Sequence, residues 1–166
     1  MDSEEVMELL LKNGAKPDVK GKTGNTPLAE AVAQGSMKKA ELLLRFKADV
    51  NAYEGAALYA AMGTKNFPML KFLKKQGADL NIKPRFWLAP LIWAVSAPHY
   101  IDSRPSDAER AKSDEYYLPV VKWLLENGAD KNVKDDRDRS ALQVATSPGI
   151  PRLHNFFGST DYVIKG

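Results

Sequence analysis

Four blocks of the chain share one arrangement of large apolar residues, and each block has the pattern of a helix with one apolar face. Apolar pairs or triplets end the blocks, and in three of them an earlier pair completes the i, i+3, i+4, i+7 spacing of an amphipathic helix. The closing groups are Leu9-Leu10-Leu11, Leu42-Leu43-Leu44, Phe72-Leu73 and Trp123-Leu124-Leu125. The pattern therefore predicts four helices of similar design.

A short turn follows each block and recurs along the chain. It consists of glycine, or lysine in one case, followed by alanine, and in three of the four turns aspartate comes next. The turns begin at Gly14, Lys47, Gly77 and Gly128, so their spacings are 33, 30 and 51 residues. Glycine directly after a helix commonly takes the left-handed conformation that ends it. The recurrence predicts an array of repeats.

A second marker, an Ala-rich apolar segment, follows each of the four turns. In its best copy Thr26 can cap a helix and Pro27 can occupy its first turn, where a missing N–H costs nothing. The copies are Asn25–Val32, Ala56–Ala61, Leu88–Val95 and Arg139–Ala145. Each turn is therefore expected to lead into a first helix with small side chains, and the amphipathic block forms the second.

The combined pattern resembles the ankyrin-repeat family, in the motif from Gly24 through Thr26-Pro27-Leu28 and in the closing Ala48-Asp49-Val50-Asn51. The resemblance implies an all-α ankyrin-repeat solenoid: helix-turn-helix units joined by finger turns, about four to five repeats with degenerate ends. We expect an ankyrin domain over residues 1–158 and a C-terminal tail over 159–166. The predicted units are 1–18, 19–51, 52–81, 82–132 with an insertion at 97–116, and 133–158.

Two units depart from the common pattern. Asn51 and Leu58 are 7 residues apart, where the next two units have 10, so the third finger should be short. In the fourth unit, Leu91 and Gly128 are 37 residues apart instead of 19, which places about 18 extra residues in the insertion. The insertion is charged and nearly free of large aliphatics. It is interpreted as a solvated loop with a short helical turn near 105–112, or alternatively as a contact loop.

Composition narrows the class of function. The net charge is +3, from 24 basic and 21 acidic residues, so we expect neither nucleic-acid nor membrane binding. The chain has no cysteine, which excludes disulfides and thiolate chemistry, and no apolar run long enough to span a bilayer. The acidic first residues do not resemble a secretory signal. We therefore expect a cytoplasmic protein.

The sequence has no constellation that would support catalysis. Its two histidines, His99 and His154, have no serine or carboxylate neighbour at a spacing that would pair a nucleophile with a base. Asp135-Asp136-Arg137-Asp138 lacks the glycine and closing glutamate of a calcium loop and falls where a finger turn is expected. We expect no enzyme, no cofactor and no metal site.

The resemblance implies that a partner protein binds at the finger tips and at the groove faces of the first helices. Phe86 and Trp87 carry this hypothesis, because aromatic residues on an exposed turn are typical interface anchors; alternatively, they fold back over the short third finger. Trp93 and Trp123 are expected in the core. The candidate protein-binding residues are Lys22, Gln34, Tyr53, Glu54, Arg85, Phe86, Trp87, Asp136 and Arg137. Tyr59, Met62 and Ser96 are expected beside or within the same groove.

The start of the chain leaves two further possibilities open. Ser3 resembles the N-cap of a second helix with no first helix before it. Met7, Leu10 or Leu11 would then face outward, which would allow self-association through this edge. Alternatively, the chain is a regulatory or targeting segment of a larger enzyme, of a pathogen or phage effector, or of an immunity-type inhibitor.

Overall fold

The computed structural model describes residues 3–21, 25–85, 88–100 and 107–146. Within these residues the chain forms helices and one isolated antiparallel bridge, and no strand, so the predicted all-α class is confirmed. The chain divides into two compact units, Met1–Ile82 and Lys83–Gly166. The division falls between the third and fourth predicted repeats.

Five helices lie in the first unit: α1 (Ser3–Lys12), α2 (Pro27–Ala33), α3 (Met37–Arg45), α4 (Ala52–Gly63) and α5 (Phe67–Lys75). α2 packs on α3 and on α4, α4 packs on α5, and α1 contacts α3. Leucines from both helices of a pair form the core, including the fully buried Leu28, Leu43, Leu58, Leu70 and Leu73. The helices predicted from the apolar periodicity are therefore α1, α3 and α5.

Polar side chains cap several of these helices. The Thr26 hydroxyl accepts a hydrogen bond of 3.0 Å from the N–H of Ala29, and Pro27 lies in the first turn of α2, as predicted. Ser36 and Asn66 cap α3 and α5 in the same way, with bonds of 3.4 and 3.1 Å to the N–H three residues on. Such a cap satisfies one of the N–H groups that a helix leaves without an internal partner, and fixes where the helix begins.

The recurring turn has one backbone conformation in each repeat. Gly14, Gly77 and Gly128 have φ between 87° and 96°, in the left-handed region that glycine adopts at little cost. Lys47 occupies the equivalent place with φ of 69° and is therefore mildly strained. The same geometry at all four positions explains why the turn is a clear repeat marker.

Hydrogen bonds between successive turns tie the repeats of the first unit together. The side-chain amide of Asn51 donates to the carbonyl of Gly77 at 3.0 Å, and its oxygen accepts from the N–H of Asp79 at 2.8 Å. One repeat earlier, the carboxylate of Asp18 accepts from the N–H of Asp49 at 3.1 Å. The same position thus links each turn to the next.

We expect Asn51→Ala to lower the free energy of unfolding by about 1–3 kcal/mol, because it removes two hydrogen bonds worth about 0.5–1.5 kcal/mol each. Asn51→Asp keeps the acceptor and loses only the donor, so its loss should be about half as large. Urea denaturation followed by circular dichroism measures both. An Asn51→Ala variant as stable as the unmodified chain would contradict the proposed link.

The second unit contains α6 (Pro90–Tyr100), α7 (Asp107–Glu126) and α8 (Ala141–Ala145), with α6 packed on both α7 and α8. Trp93 and Tyr117 meet edge to face, with their ring centroids 5.6 Å apart. Trp123 is buried as predicted, whereas Trp93 is half-buried. The aromatic pair therefore supports the contact between α6 and α7.

The helical turn predicted near 105–112 is confirmed at 107–112, whereas the prediction of a loop is wrong for 97–100 and 113–116. Residues 97–100 continue α6 and residues 107–116 form the first half of α7, while 101–106 lie outside the described residues. Pro119 stands nine residues before Gly128, as Pro68 stands nine before Gly77. Pro68 lies in the first turn of α5, but Pro119 lies inside α7. The insertion has therefore been added largely as extra helix, at the end of α6 and ahead of the usual start of α7.

Candidate protein-binding surface

α4 begins with a left-handed turn formed by Tyr53, Glu54 and Gly55, whose φ angles are 50°, 60° and 80°. Gly55 adopts this region freely, but each of the other two pays about 1–2 kcal/mol for it. The N–H of Gly55 donates to the carbonyl of Asn51 at 3.1 Å, which closes the turn. The 7-residue spacing after Asn51 is thus bridged by this left-handed turn, where the sequence predicted a short finger.

Tyr53 lies at the surface of the left-handed turn with 46% of its area exposed. The ammonium group of Lys20 lies 5.1 Å from the centroid of the Tyr53 ring. At an exposed site a cation this close to an aromatic face contributes about 0.5–1 kcal/mol. Lys20 is itself exposed, so the two side chains together present one cation and one aromatic ring to solvent.

The residues beneath the left-handed turn are apolar. A Cβ on Gly55 would lie 3.4 Å from a methyl group of Ile82 and 3.8 Å from the ring of Tyr59. Tyr59, which the sequence placed beside the groove, is buried. Burial raises the pKa of its hydroxyl, and the nearby carboxylate of Glu54 adds to the rise. The left-handed turn therefore packs against the side chains of Ile82 and Tyr59.

The inner helix α2 offers a polar surface. Gln34 is exposed, donates to the carboxylate of Glu30 at 3.1 Å and accepts from the ammonium of Lys39 at 3.5 Å. Met62 in α4 and Ser96 in α6, which the sequence placed along the groove, are both buried. Their helices are almost wholly apolar, so the sequence carries little information about which side faces the core.

One finger is well defined in the second unit. Lys134 and Ser140 form an antiparallel bridge, and Asp136 and Arg137 are exposed at the tip. Ser140 also begins α8, with the reciprocal hydrogen bonds of a capping box to Gln143. This is the finger turn that the sequence predicted for residues 135–138.

A buried carboxylate holds this finger in shape. Only 1% of the Asp135 side chain is exposed, and it accepts from the N–H groups of Arg137 and Arg139 at 3.0 and 2.8 Å. It also forms an ion pair of 2.8 Å with the guanidinium of Arg139. Burial alone would raise the pKa of Asp135, but these hydrogen bonds and the arginine charge lower it overall. Because Asp135 is fully engaged within the finger, Asp136 and Arg137 are the residues left for external contacts.

The remaining predicted site residues differ in exposure, and three of them lie outside the described residues. Arg85 is exposed in the second unit, and Glu54 is half-buried in the left-handed turn. Lys22, Phe86 and Trp87 lie outside the described residues. The geometry therefore brings together Tyr53, Glu54 and Lys20 in one unit and Asp136 and Arg137 in the other.

The described residues hold no group of three or more His, Cys, Asp or Glu side chains placed to bind a metal ion. Among them, no helix combines the length and the apolar character needed to cross a membrane.

The fold and the exposed turns define a class: helical repeat proteins whose successive units are joined by hydrogen-bonded turns. Residues 2–84 match the family described as ankyrin repeats, in three copies. The chain belongs to the ankyrin-repeat family, as its motifs indicated, and the fold is the all-α ankyrin-repeat fold.

The chain is also similar to several known proteins of this type. It is 39% identical over 114 residues to a B-cell lymphoma 3 protein homolog of Mus musculus, covering 66% of this chain and 25% of that protein. It is 31% identical over 145 residues to the ankyrin repeat protein nuc-2 of Neurospora crassa, covering 84% and 12%. A putative ankyrin repeat protein of Rickettsia felis is 30% identical over 136 residues, covering 80% and 55%. The chain thus spans little more than half of the Rickettsia protein and a quarter or less of the other two.

Proposed function

We propose that this chain is a non-catalytic, cytoplasmic module that binds a partner protein through its finger turns and inner-helix faces. Ankyrin repeats are generally protein-interaction modules, and the ankyrin relatives support this assignment. Because one fold serves many functions, the proposal rests on the site as well.

The left-handed turn is the observation that carries the proposal. Two non-glycine residues adopt a conformation that costs about 1–2 kcal/mol each, and the result is an exposed aromatic ring with a cation stacked on it. Backbone strain of this kind is typically retained at functional positions. Tyrosine is also among the residues most often found as an energetic centre of protein interfaces.

To test the proposal, the partner is first isolated by affinity purification with the full chain and identified by mass spectrometry. Tyr53→Ala should then weaken its binding at least 10-fold, since an interface anchor contributes about 2 kcal/mol or more. Isothermal titration calorimetry with the purified partner measures the change. Lys71→Ala, an exposed position on the outer helix α5, serves as the control. Equal affinities for the Tyr53→Ala and Lys71→Ala variants would show that the partner binds elsewhere.

Self-association through α1 is a second candidate function. It is favoured by three large apolar side chains of this helix, Val6, Leu9 and Leu10, which face solvent. Contiguous exposed apolar surface commonly marks an interaction site.

The alternative assignment, a regulatory or targeting segment of a larger protein, is favoured by a different observation. The three relatives described above are all longer than this chain. Comparing the mass of the endogenous protein with 18.4 kDa tests this alternative directly.

A further inference from the structure

Basic side chains lie at the C-terminal ends of the three outer helices of the first unit. Lys12 in α1, Arg45 in α3 and Lys75 in α5 each stand two residues before the recurring turn, and all three are exposed. α1 contacts α3, and the side chain of Asn51 bonds the turn after α3 to the turn after α5. The three helix ends are therefore neighbours in that order, and we call these three residues the basic row.

The exposure of the basic row follows from its place in the repeat. Arg45 has a neighbouring repeat on each side, yet 63% of its side chain faces solvent. A helix C-terminus favours positive charge, but this preference is not sufficient to explain the row, because Glu126 has the same place before Gly128 in the second unit. The basic character is therefore a property of the first unit rather than of every outer helix.

One carboxylate is shared by two members of the basic row. Glu8 lies 3.1 Å from the ammonium of Lys12 and 2.9 Å from the guanidinium of Arg45. The hydrogen bond from Lys12 and the charges of Lys12 and Arg45 lower the pKa of Glu8. Exposed ion pairs of this kind are weak and exchange readily. Because two cations share one carboxylate, positive charge remains for an external ligand.

The spacing of the basic row indicates the form of that ligand. Helices that pack side by side lie about 8–10 Å apart, so we expect successive members of the row at about that separation. A polyproline II helix has three residues per turn and rises about 3.1 Å per residue, so every third side chain lies on one face, about 9 Å from the last. A β-strand places the side chains of one face only about 7 Å apart. The polyproline II spacing is the better match.

We propose that the basic row binds an extended acidic segment of a partner protein, in the polyproline II conformation and with an acidic residue at every third position. An amphipathic helix is a poorer fit, because α3 and α5 expose no large apolar residue against which its apolar face could pack. A solvated acidic segment needs no such surface. The basic row belongs to the outer helices, so this inference does not rest on the function proposed above for the fingers and inner helices.

A short synthetic peptide with the order Glu-Pro-Pro-Glu-Pro-Pro-Glu, blocked at both ends, is the probe. Its prolines favour polyproline II and place the three carboxylates on one face. In an NMR titration of the full chain at low salt, where charge screening is weakest, we expect saturable shifts of the amides of Lys12, Arg45 and Lys75. A peptide of the same composition with its glutamates adjacent should bind about 5-fold more weakly, because it loses at least one ion pair.

Variants of α3 locate the binding. Arg45→Glu puts a like charge in the middle of the basic row and should abolish saturable binding of the probe, whereas Arg45→Lys keeps the charge and should retain it. Lys38→Glu makes the same change of charge at the exposed start of α3, seven residues away, and should leave the affinity unchanged. Circular dichroism of each variant checks that the helices remain folded.

Three results would overturn the proposal. Unchanged binding of the probe to the Arg45→Glu variant would place the peptide elsewhere on the chain. Equal affinities for the two glutamate orders would contradict the arrangement at every third position. Tighter binding of single-stranded oligothymidylate at the same three residues would assign the basic row to nucleic acid instead of an acidic protein segment.

Discussion

Replacing Leu43 with alanine should lower the free energy of unfolding by about 2–5 kcal/mol, the usual cost of truncating a leucine in a tightly packed core. Leu43 is 1% exposed in α3, and this helix packs on α2. The loss combines the removed burial of three carbons with the cavity that they leave.

The repeat offers a matched control for this change. Leu10 has the same place relative to its turn, yet more than half of its surface faces solvent. Leu10→Ala should therefore change stability by no more than about 0.5 kcal/mol. Urea denaturation at low protein concentration, where association is negligible, measures both variants through the midpoint at constant slope. Equal losses for the two variants would mean that Leu10 is covered in the isolated chain, contrary to the structure.

The sequence was most informative where a physical requirement recurs at fixed spacing. Left-handed glycines after the second helices, leucines four residues before them, and the Thr26 cap all follow from local rules, and the structure has each of them. These features were enough to predict the family and the helical class. The inter-repeat bond of Asn51 follows from the same register, since Asp18 fills the equivalent role one turn earlier.

The prediction was less successful for the insertion, in which no residue type recurs at a fixed spacing. The lack of large aliphatic residues favours a loop with only a short helical turn near 105–112, but a solvated helix needs no apolar stripe. Its alanine, glutamate, arginine and lysine residues favour helix on propensity alone. A charged segment between two established helices is therefore as compatible with lengthening both helices as with a loop.

The sequence also does not indicate which side of α4 and of α6 faces the core. Met62, Ser96 and Tyr59 were expected at the groove and are buried, because helices that are apolar on most sides do not indicate their inward face. The left-handed turn could not be foreseen either, since tyrosine and glutamate rarely adopt positive φ. The only sign of it in the sequence is the short spacing of 7 residues between Asn51 and Leu58, which indicates that this repeat lacks a finger of the usual length.

The exposed edge of α1 was predicted only in part. Of Met7, Leu10 and Leu11, any of which was expected to face outward, Leu10 is exposed, Met7 is half-buried and Leu11 is buried. The exposure of Val6 and Leu9 was not predicted. Placing α1 on a helical wheel would have grouped Val6 with Leu9 and Leu10. The sequence alone could not show which face contacts α3, because Leu9, Leu10 and Leu11 together cover most of the circumference.

Replacing Phe86 and Trp87 together with alanine should abolish capture of the partner protein while leaving helical content unchanged. Both lie outside the described residues, so this prediction comes from the sequence: they follow the exposed Arg85, and Trp87 stands where the family prefers glycine. Two aromatic anchors worth about 2 kcal/mol each correspond to a loss in affinity on the order of 1,000-fold.

Stability separates this hypothesis from its alternative, in which the aromatic residues fold back over the short third finger. Aromatic residues that serve only a partner leave the thermal midpoint of the free chain unchanged when removed, whereas packed ones lower it by several degrees, since about 1 kcal/mol shifts a domain of this size by about 2–4 °C. Binding and melting are therefore measured on the same preparations, with Lys71→Ala on α5 as the exposed control. Loss of capture at a constant midpoint assigns Phe86 and Trp87 to the interface. A lowered midpoint with capture intact would place them in the core, leaving the left-handed turn at Tyr53 as the centre of recognition.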